Sequence, residues 1–202
     1  MENTVNQAVL CGHMFENPSF SHENHGRKFY KFPLAVERLS GAVDVLPILA
    51  GEDVLAEGGI SEGDFVRIQG QLRSFNNRAP TGRRLILSLY AESMACTEEG
   101  PENQILLQGA LCKSPTLRRT PLGREICDVM LAVSRRYHRT DYIPCILWGR
   151  TAHMAADLPA GTFLQIEGRL QSREYMKVLE DRTEQRTAYE VSAMDAFILP
   201  EA

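Results

Sequence analysis

The chain contains the same strand-like segment twice. GDFVRIQGQLRS begins at Gly63, and GTFLQIEGRLQS begins 98 residues later at Gly161, with six of the twelve positions identical. Towards the N-terminus the match continues at an offset of 97 residues, for example from Asp44 to Asp141. A register that is kept over this length indicates a duplicated structural unit, which any fold for this chain must accommodate.

Two domains of ordinary size are therefore predicted, over residues 1–99 and 100–202. The segment between the two repeats, TEEGPE from Thr97 to Glu102, is acidic and contains a Gly-Pro pair. This composition is typical of a short linker.

Each copy has the sequence pattern of β-strands around one short helix. Helical patterns are confined to EDVLAEGG in the first copy and RTAHMAADLPAG in the second. The order in each copy is three strands, one helix and two strands, which is typical of the oligonucleotide/oligosaccharide-binding (OB) barrel. We predict an all-β chain of two tandem five-stranded OB-fold barrels, each with its helix between strands 3 and 4. The glycine inside each first strand, Gly12 and Gly109, is expected to mark a bulge or a tight bend.

Composition and motifs exclude several classes of function. Five cysteines without a CxxC pair favour free thiols over disulfides or a zinc site, and the five histidines have no metal-binding spacing. No catalytic motif is present, so we predict a protein that is not an enzyme and needs no cofactor or metal. No apolar run approaches the roughly 20 residues of a membrane span, and the N-terminus lacks the pattern of a secretory signal. A cytoplasmic location follows as an expectation.

The overall charge gives no sign of a polyanionic partner. The net charge is −4, and it lies in the first hundred residues, where 9 Lys and Arg face 13 Asp and Glu. The remaining residues have 13 of each. A nucleic-acid site must therefore be sought in local arrangements, and the second copy is the less repulsive of the two.

The second copy resembles the bacterial single-stranded DNA-binding proteins and their primosomal relatives. The resemblance is carried by LAVSRRY, DYIPCILWGRTA, LPAGTFLQIEGRLQSREY and RTAYEV, which follow in family order within residues 103–199. The first copy retains the strand segments of this pattern in NQAVLCG, FPLAVER, VLPILAG and ISEGDFVRIQGQLRS. The resemblance implies binding of single-stranded DNA in replication, repair or recombination. It also implies a homodimer with four OB barrels, and replication or repair proteins as further partners.

Aromatic and basic side chains in the second copy form the candidate binding site. Proteins that hold single strands stack bases on aromatic rings and follow the phosphates with cations. The resemblance assigns stacking to four aromatic residues: Tyr137, Tyr142, Trp148 and Tyr175. The neighbouring arginines are the candidate phosphate contacts: Arg135, Arg136, Arg139, Arg150 and Arg173. Because residues i and i+2 of a strand share a face, we expect Arg173 to lie beside Tyr175, and Arg150 beside Trp148.

The first copy lacks aromatic residues at the positions that the repeat register makes equivalent. In place of Tyr137, Tyr142, Trp148 and Tyr175 the register gives Ser40, Val45, Ala50 and Asn77. We therefore expect the first barrel to have a degenerate binding face and the second barrel to supply most of the contacts.

Structural interpretations compete with this assignment. Trp148 could fill the core, Tyr90 and Tyr189 are expected to be structural, and the basic cluster around Tyr137 could be an ordinary solvated loop. The alternative for the whole chain is a protein-interaction or primosome-like scaffold module with weak nucleic-acid binding, which the acidic first half favours.

Overall fold

The two copies fold alike, as strands that surround one short helix. The structure is a computed structural model that describes residues 5–76, 85–178 and 182–200. The elements of the first copy are β1 (Asn6–Met14), β2 (Ser19–Asn24), β3 (Arg27–Glu37), β4 (Val43–Gly51), α1 (Glu52–Gly58), β5 (Phe65–Asn76) and β6 (Leu85–Cys96).

The second copy repeats this order with one addition. Its elements are β7 (Glu102–Leu111), β8 (Thr116–Arg119), β9 (Glu125–Arg135), a 3-10 turn (Arg136–His138), β10 (Arg139–Trp148), α2 (Gly149–Ala156), β11 (Phe163–Val178) and β12 (Thr183–Ile198). Because β7 already begins at Glu102, the linker between the copies is shorter by one residue than the sequence suggested.

The predicted all-β architecture and both helices are confirmed. Strands β1, β3, β4, β5 and β6 form the expected five-stranded frame, and α1 lies between its third and fourth strands. The prediction missed one strand in each copy, β2 and β8, which pair with β3 and β9. All residues of these two strands are exposed. They therefore lack the alternation of apolar and polar residues by which a half-buried strand is recognised.

One sheet runs through both copies. The twelve described strands are hydrogen-bonded in the order β2-β3-β4-β6-β5-β1-β7-β11-β12-β10-β9-β8. The two halves of this order are mirror images, so the copies are related by an approximate two-fold axis between β1 and β7. These two strands pair antiparallel, from Asn6 opposite Leu107 to Cys11 opposite Glu102.

Alternate residues of the strands fill the cores. In β6, for example, Leu89 and Ala91 are fully buried in the hydrophobic core, while Tyr90 between them points to the outer face of the barrel. Glycines allow close approach where strands cross: a Cβ at Gly12 would overlap the carbonyl oxygen of Ala35. Gly12 therefore permits tight packing of β1 on β3. The described register shifts of the long strands β5 and β11 lie beside other glycines, at Gly70 and Gly168.

A pair of buried carboxylates joins the copies on either side of the two-fold axis. Asp44 of β4 accepts hydrogen bonds from the backbone N–H of Ser172 at 2.8 Å and from its hydroxyl at 3.0 Å. Asp141 of β10 accepts the backbone N–H of Ser74 at 2.7 Å. Both aspartates are 0% exposed. Asp44 of the first barrel thus binds β11 of the second barrel, and Asp141 of the second barrel binds β5 of the first.

Candidate nucleic-acid interface

The 3-10 turn between β9 and β10 presents Tyr137 to solvent. The side chain is 90% exposed, and the backbone of Tyr137 and His138 is left-handed, with φ of 62° and 53°. Two consecutive non-glycine residues in this region are unfavourable, and such strain concentrates at functional sites. The turn therefore holds an aromatic ring outside the barrel at a cost in backbone energy.

Tyr142 lies on β10 where the two copies meet. It is 42% exposed, and its backbone N–H donates a hydrogen bond to the Ser74 hydroxyl of the first copy at 2.7 Å. The preceding residue, Asp141, is the buried carboxylate that binds β5. Contacts from the other barrel thus fix the backbone of β10 at Tyr142.

Trp148 ends β10 on the outer face of the second barrel. The side chain is half-buried and does not belong to the hydrophobic core, so the interpretation as a core tryptophan is wrong. Its indole Nε1–H donates to the Ser192 hydroxyl at 3.0 Å. The hydrogen bond fixes the ring against the sheet, as a rigid stacking surface requires.

Tyr175 lies on β11 beside Arg173, as the strand periodicity predicted. The guanidinium carbon of Arg173 is 5.7 Å from the centre of the Tyr175 ring, which is within the range of a cation–π contact. The Arg173 Nε is also 3.2 Å from a carboxylate oxygen of Glu190. The predicted pairing of Trp148 with Arg150 is wrong, because the strand ends at Trp148 and Arg150 lies in the first turn of α2.

The candidate arginines fall into two groups. Arg136, Arg139 and Arg150 are exposed, and no ion pair involves them within the described part of the chain. Arg135 is instead engaged in the interface, 3.2 Å from the Asp141 carboxylate. Burial lowers the pKa of Arg135, and the nearby Arg73 and Arg139 lower it further, whereas Asp141 opposes this shift. Two arginines, Arg73 and Arg135, thus share one buried carboxylate, which leaves an excess of positive charge next to Tyr142.

The strand pairing in the structure changes which residue of the first copy is equivalent to Trp148. Trp148 pairs with Ile126 as Gly51 pairs with Phe29, so its equivalent in the first copy is Gly51 rather than Ala50. A Cβ at Gly51 would overlap the side chains of Asp53 and Arg27, which occupy this space. The equivalents Ser40 and Val45 are exposed loop and strand residues, and Asn77 lies outside the described residues.

The first copy nevertheless carries aromatic rings on the same outer face, and the sequence interpretation missed them. Phe29 lies opposite Gly51, and Tyr90 takes the place of Ser192, because Leu49 pairs with Tyr90 as Ile146 pairs with Ser192. The ring centres of Phe29 and Tyr90 are 6.2 Å apart. Tyr90 is therefore not a core residue, whereas Tyr189 does pack against the core. In the first copy the aromatic residues of this face lie on β3 and β6, whereas in the second copy Trp148 lies on β10. A search of the neighbouring strands for aromatic residues would have found this difference.

One group of side chains has the composition of a metal site. Ligand atoms of Cys11, Glu99 and Glu102 lie within 4.8 Å of one another. The Arg67 guanidinium, however, binds Glu99 at 2.8 Å and also contacts Glu102. Burial raises the pKa of the Cys11 thiol despite the proximity of Arg67. The cation that these carboxylates bind is thus the arginine, and the group does not fit a metal ion.

No helix among the described residues has the length and hydropathy needed to span a membrane.

Sequence comparisons match the second copy to one family. Residues 102–198 match the single-strand binding protein family. The chain is 38% identical over 80 residues to the single-stranded DNA-binding protein B of Bacillus subtilis, an alignment that covers 36% of this chain and 71% of that protein. It is 36% identical over 80 residues to the single-stranded DNA-binding protein 2 of Listeria innocua, over 36% of this chain and 50% of that protein. The chain thus spans about half the length of several curated relatives that it matches.

Structural comparison extends the similarity to both copies. The crystal structure of the wild-type single-stranded DNA binding protein from Thermus aquaticus superposes on 100% of this chain and 96% of its own, with a TM-score of 0.80 and 22% sequence identity. A deletion mutant of the Thermus protein gives a TM-score of 0.79 at 21% identity, over 100% of this chain and 98% of its own. At this identity the likeness establishes the fold, including the arrangement of the two copies.

Proposed function

Because the chain belongs to the single-strand binding protein family, we propose that it binds single-stranded DNA, without catalysing a reaction, in replication, repair or recombination. Bases stack on the four aromatic rings of the second copy, namely Tyr137, Tyr142, Trp148 and Tyr175. Phosphates are bound by Arg136, Arg139, Arg150 and Arg173, and Arg135 acts mainly by holding Asp141.

One observation carries this proposal. None of the four aromatic side chains belongs to the hydrophobic core, although a large aromatic side chain gains much stability from burial. Each of them lies on a surface that also presents arginine, and three of those arginines have no ion pair within the described residues. Exposed rings beside uncompensated cations are what a single strand needs, since every base has a face that can stack.

Titration of the single tryptophan with oligo(dT) tests the proposal. Bases that stack on Trp148 should quench its fluorescence, and Trp148→Ala should weaken binding by about 1–3 kcal/mol. The logarithm of the affinity should fall with the logarithm of the salt concentration by about 0.7 for each phosphate bound. Arg136→Ala should reduce this slope by about 0.7.

Arg118→Ala provides the matched control for Arg136→Ala. Arg118 is also an arginine of the second barrel, but it forms an ion pair with Asp128 on the β8–β9 hairpin. Its substitution should leave the salt slope unchanged. If oligo(dT) binding were absent, or independent of salt, the chain would instead be a scaffold that binds proteins, the alternative that the acidic first half favours.

We also propose a homodimer with four barrels, in keeping with the family resemblance. Sedimentation equilibrium should then give a mass near twice the 22.7 kDa of one chain. A cytoplasmic location and partners among replication or repair proteins stay predictions from the sequence.

A further inference from the structure

The outer face of the first barrel carries a second set of stacked rings. His22 of β2 lies parallel to Phe29 of β3, with 4.9 Å between ring centres and 13° between ring planes. Phe29 in turn is 6.2 Å from Tyr90 of β6. Phe29 is only 8% exposed, but it lies outside the main cluster of core residues. The rings that cover it, His22 and Tyr90, are the accessible members of this set.

Two arginines flank these rings. The guanidinium carbon of Arg27 is 5.2 Å from the centre of the Phe29 ring, and that of Arg73 is 5.7 Å from the centre of the Tyr90 ring. Arg27 also donates a hydrogen bond to the Tyr90 hydroxyl at 3.0 Å. Lys31 lies on the same face of β3 as Phe29, is exposed and has no ion pair within the described residues.

Arg73 connects this face to the second copy. Its guanidinium is 3.2 Å from the carboxylate of Asp141, the residue that precedes Tyr142. The following residue of β5, Ser74, accepts the backbone N–H of Tyr142. A series of rings and cations therefore runs from Tyr142 of the second barrel across Arg73 to Tyr90, Phe29 and His22 of the first.

Local charge favours a polyanion on the first barrel, in contrast to the net charge of the first half. Arg73 pairs with Ser88 across β5 and β6, and the equivalent pair in the second barrel is Gln171 with Glu190. The first barrel thus has a cation in this pair, whereas the second has Gln171 and Glu190, whose carboxylate is bound by Arg173 at 3.2 Å. Asp53, an acidic residue beside the Phe29 ring, is already bound by Arg27 at 2.7 Å.

We propose that single-stranded DNA continues from Tyr142 onto the first barrel and stacks on Tyr90 and His22, with its phosphates near Lys31 and near Arg73, which shares the Asp141 carboxylate with Arg135. This inference rests on the proposed function and extends the binding site from the second barrel to the first. The first barrel then has its own binding face, made of rings from β2, β3 and β6 in place of the β10 tryptophan. The first barrel was expected to have a degenerate binding face because the sequence comparison considered only the positions equivalent to the aromatic residues of the second copy. Rings on other strands were not counted.

The test uses the full chain and a fluorescein-labelled dT oligomer of about 30 residues, long enough to cover two barrels at up to about 16 nucleotides each. Affinity is measured by fluorescence anisotropy for His22→Ala, for Tyr90→Ala and for the double variant. Each lost stack should weaken binding about fivefold or more. Tyr90→Phe, which keeps the ring, should bind close to wild type, and circular dichroism should show that each variant is folded.

Phe20→Ala is the matched control. Phe20 lies on the same β2–β3 hairpin and is 57% exposed, but it packs on Tyr30, which points to the opposite face from Phe29. Phe20→Ala should therefore leave the affinity unchanged. An equal loss for Phe20→Ala and His22→Ala would overturn the inference, because the effect would then come from the hairpin as a whole.

Tyr137→Ala separates failure of this inference from failure of the proposed function. If Tyr137→Ala weakens binding while the folded His22 and Tyr90 variants bind like wild type, the first-barrel site is wrong and the second-barrel site stands. If the wild-type chain does not bind the oligomer, both are wrong.

Discussion

Replacement of Asp44 by asparagine tests the buried carboxylates that join the two barrels. Asp44 is fully buried and accepts bonds from Arg38 at 2.6 Å and from the Ser172 backbone at 2.8 Å. Asparagine keeps one acceptor oxygen of similar shape. Its amide group, however, presents N–H donors where the Arg38 guanidinium needs an acceptor, and the arginine loses its counter-ion.

The expected loss of stability is several kcal/mol. Removal of one partner from a buried ion pair costs about 3–5 kcal/mol, because the other charge stays in the protein without compensation. The Arg38 side chain is 25% exposed, so water can partly solvate it, and we expect about 3 kcal/mol. In a chain of this length about 1 kcal/mol corresponds to 2–4 °C, so the Tm should fall by about 6–12 °C.

Asp128→Asn is the matched control, measured by differential scanning calorimetry under the same conditions. Asp128 pairs with Arg118 on the surface, where the two side chains are 39% and 42% exposed. An exposed pair contributes about 0–1 kcal/mol. Asp141→Asn should instead behave like Asp44→Asn, since Asp141 is the two-fold equivalent of Asp44.

The effect of Asp44→Asn should also depend on pH. Burial alone would raise the pKa of Asp44, but the bonds from Arg38 and Ser172 outweigh burial and hold it below the ordinary value. A depressed carboxyl pKa contributes stability above the unfolded value, about 3.9, and this contribution is lost as the pH falls through the folded value. The difference in free energy of unfolding between wild type and Asp44→Asn should thus be full at pH 7 and shrink below about pH 4. Equal Tm shifts for Asp44→Asn and Asp128→Asn at pH 7 would refute this account of the interface.

Three further predictions concern packing and reactivity. Gly70→Ala should lower the Tm by several degrees in thermal unfolding, because its Cβ would overlap the carbonyl of Tyr90, whereas Gly100→Ala, which meets no atom within 4 Å, should not. Asn6→Ala should cost about 1–3 kcal/mol in urea unfolding, because the buried Asn6 side chain bonds both the N–H and the carbonyl of Leu72; an unchanged unfolding midpoint would contradict this. Ellman's reagent should label Cys96 and Cys112 rapidly and the other three cysteines only after unfolding, since those three are buried and burial raises their thiol pKa.

The repeated sequence predicted most of the fold because the barrel core imposes a strict pattern. Strands such as β5 and β11 alternate buried and exposed residues, so their apolar positions recur at a fixed offset. The two helices were found because they interrupt this alternation. Strand β2 escaped prediction because a strand that covers no core needs no apolar residue.

The site was predicted less completely because binding depends on contacts between strands. The sequence identified Tyr137 and Tyr175 next to their arginines, since those neighbours are close along the chain. It could not show that Phe29 faces Gly51, or that Arg73 reaches Asp141, because these residues are brought together only by pairing and by the interface. The repeated aspartates at 44 and 141, charged residues in otherwise apolar strands, were the available signal of that interface.

The pairing of β1 with β7 has a consequence for synthesis of the chain. Strand β1 is made first, but the strand that covers its edge, β7, begins at Glu102, 96 residues after β1 begins at Asn6. At about 5–20 residues per second the ribosome needs about 5–20 s to supply it. During this interval the nascent first barrel presents an unpaired strand edge, which is the kind of surface that recruits strands from other molecules. On one polysome, neighbouring nascent chains offer the same edge, so we expect exchange of β7 between chains to compete with correct closure at this stage of biosynthesis.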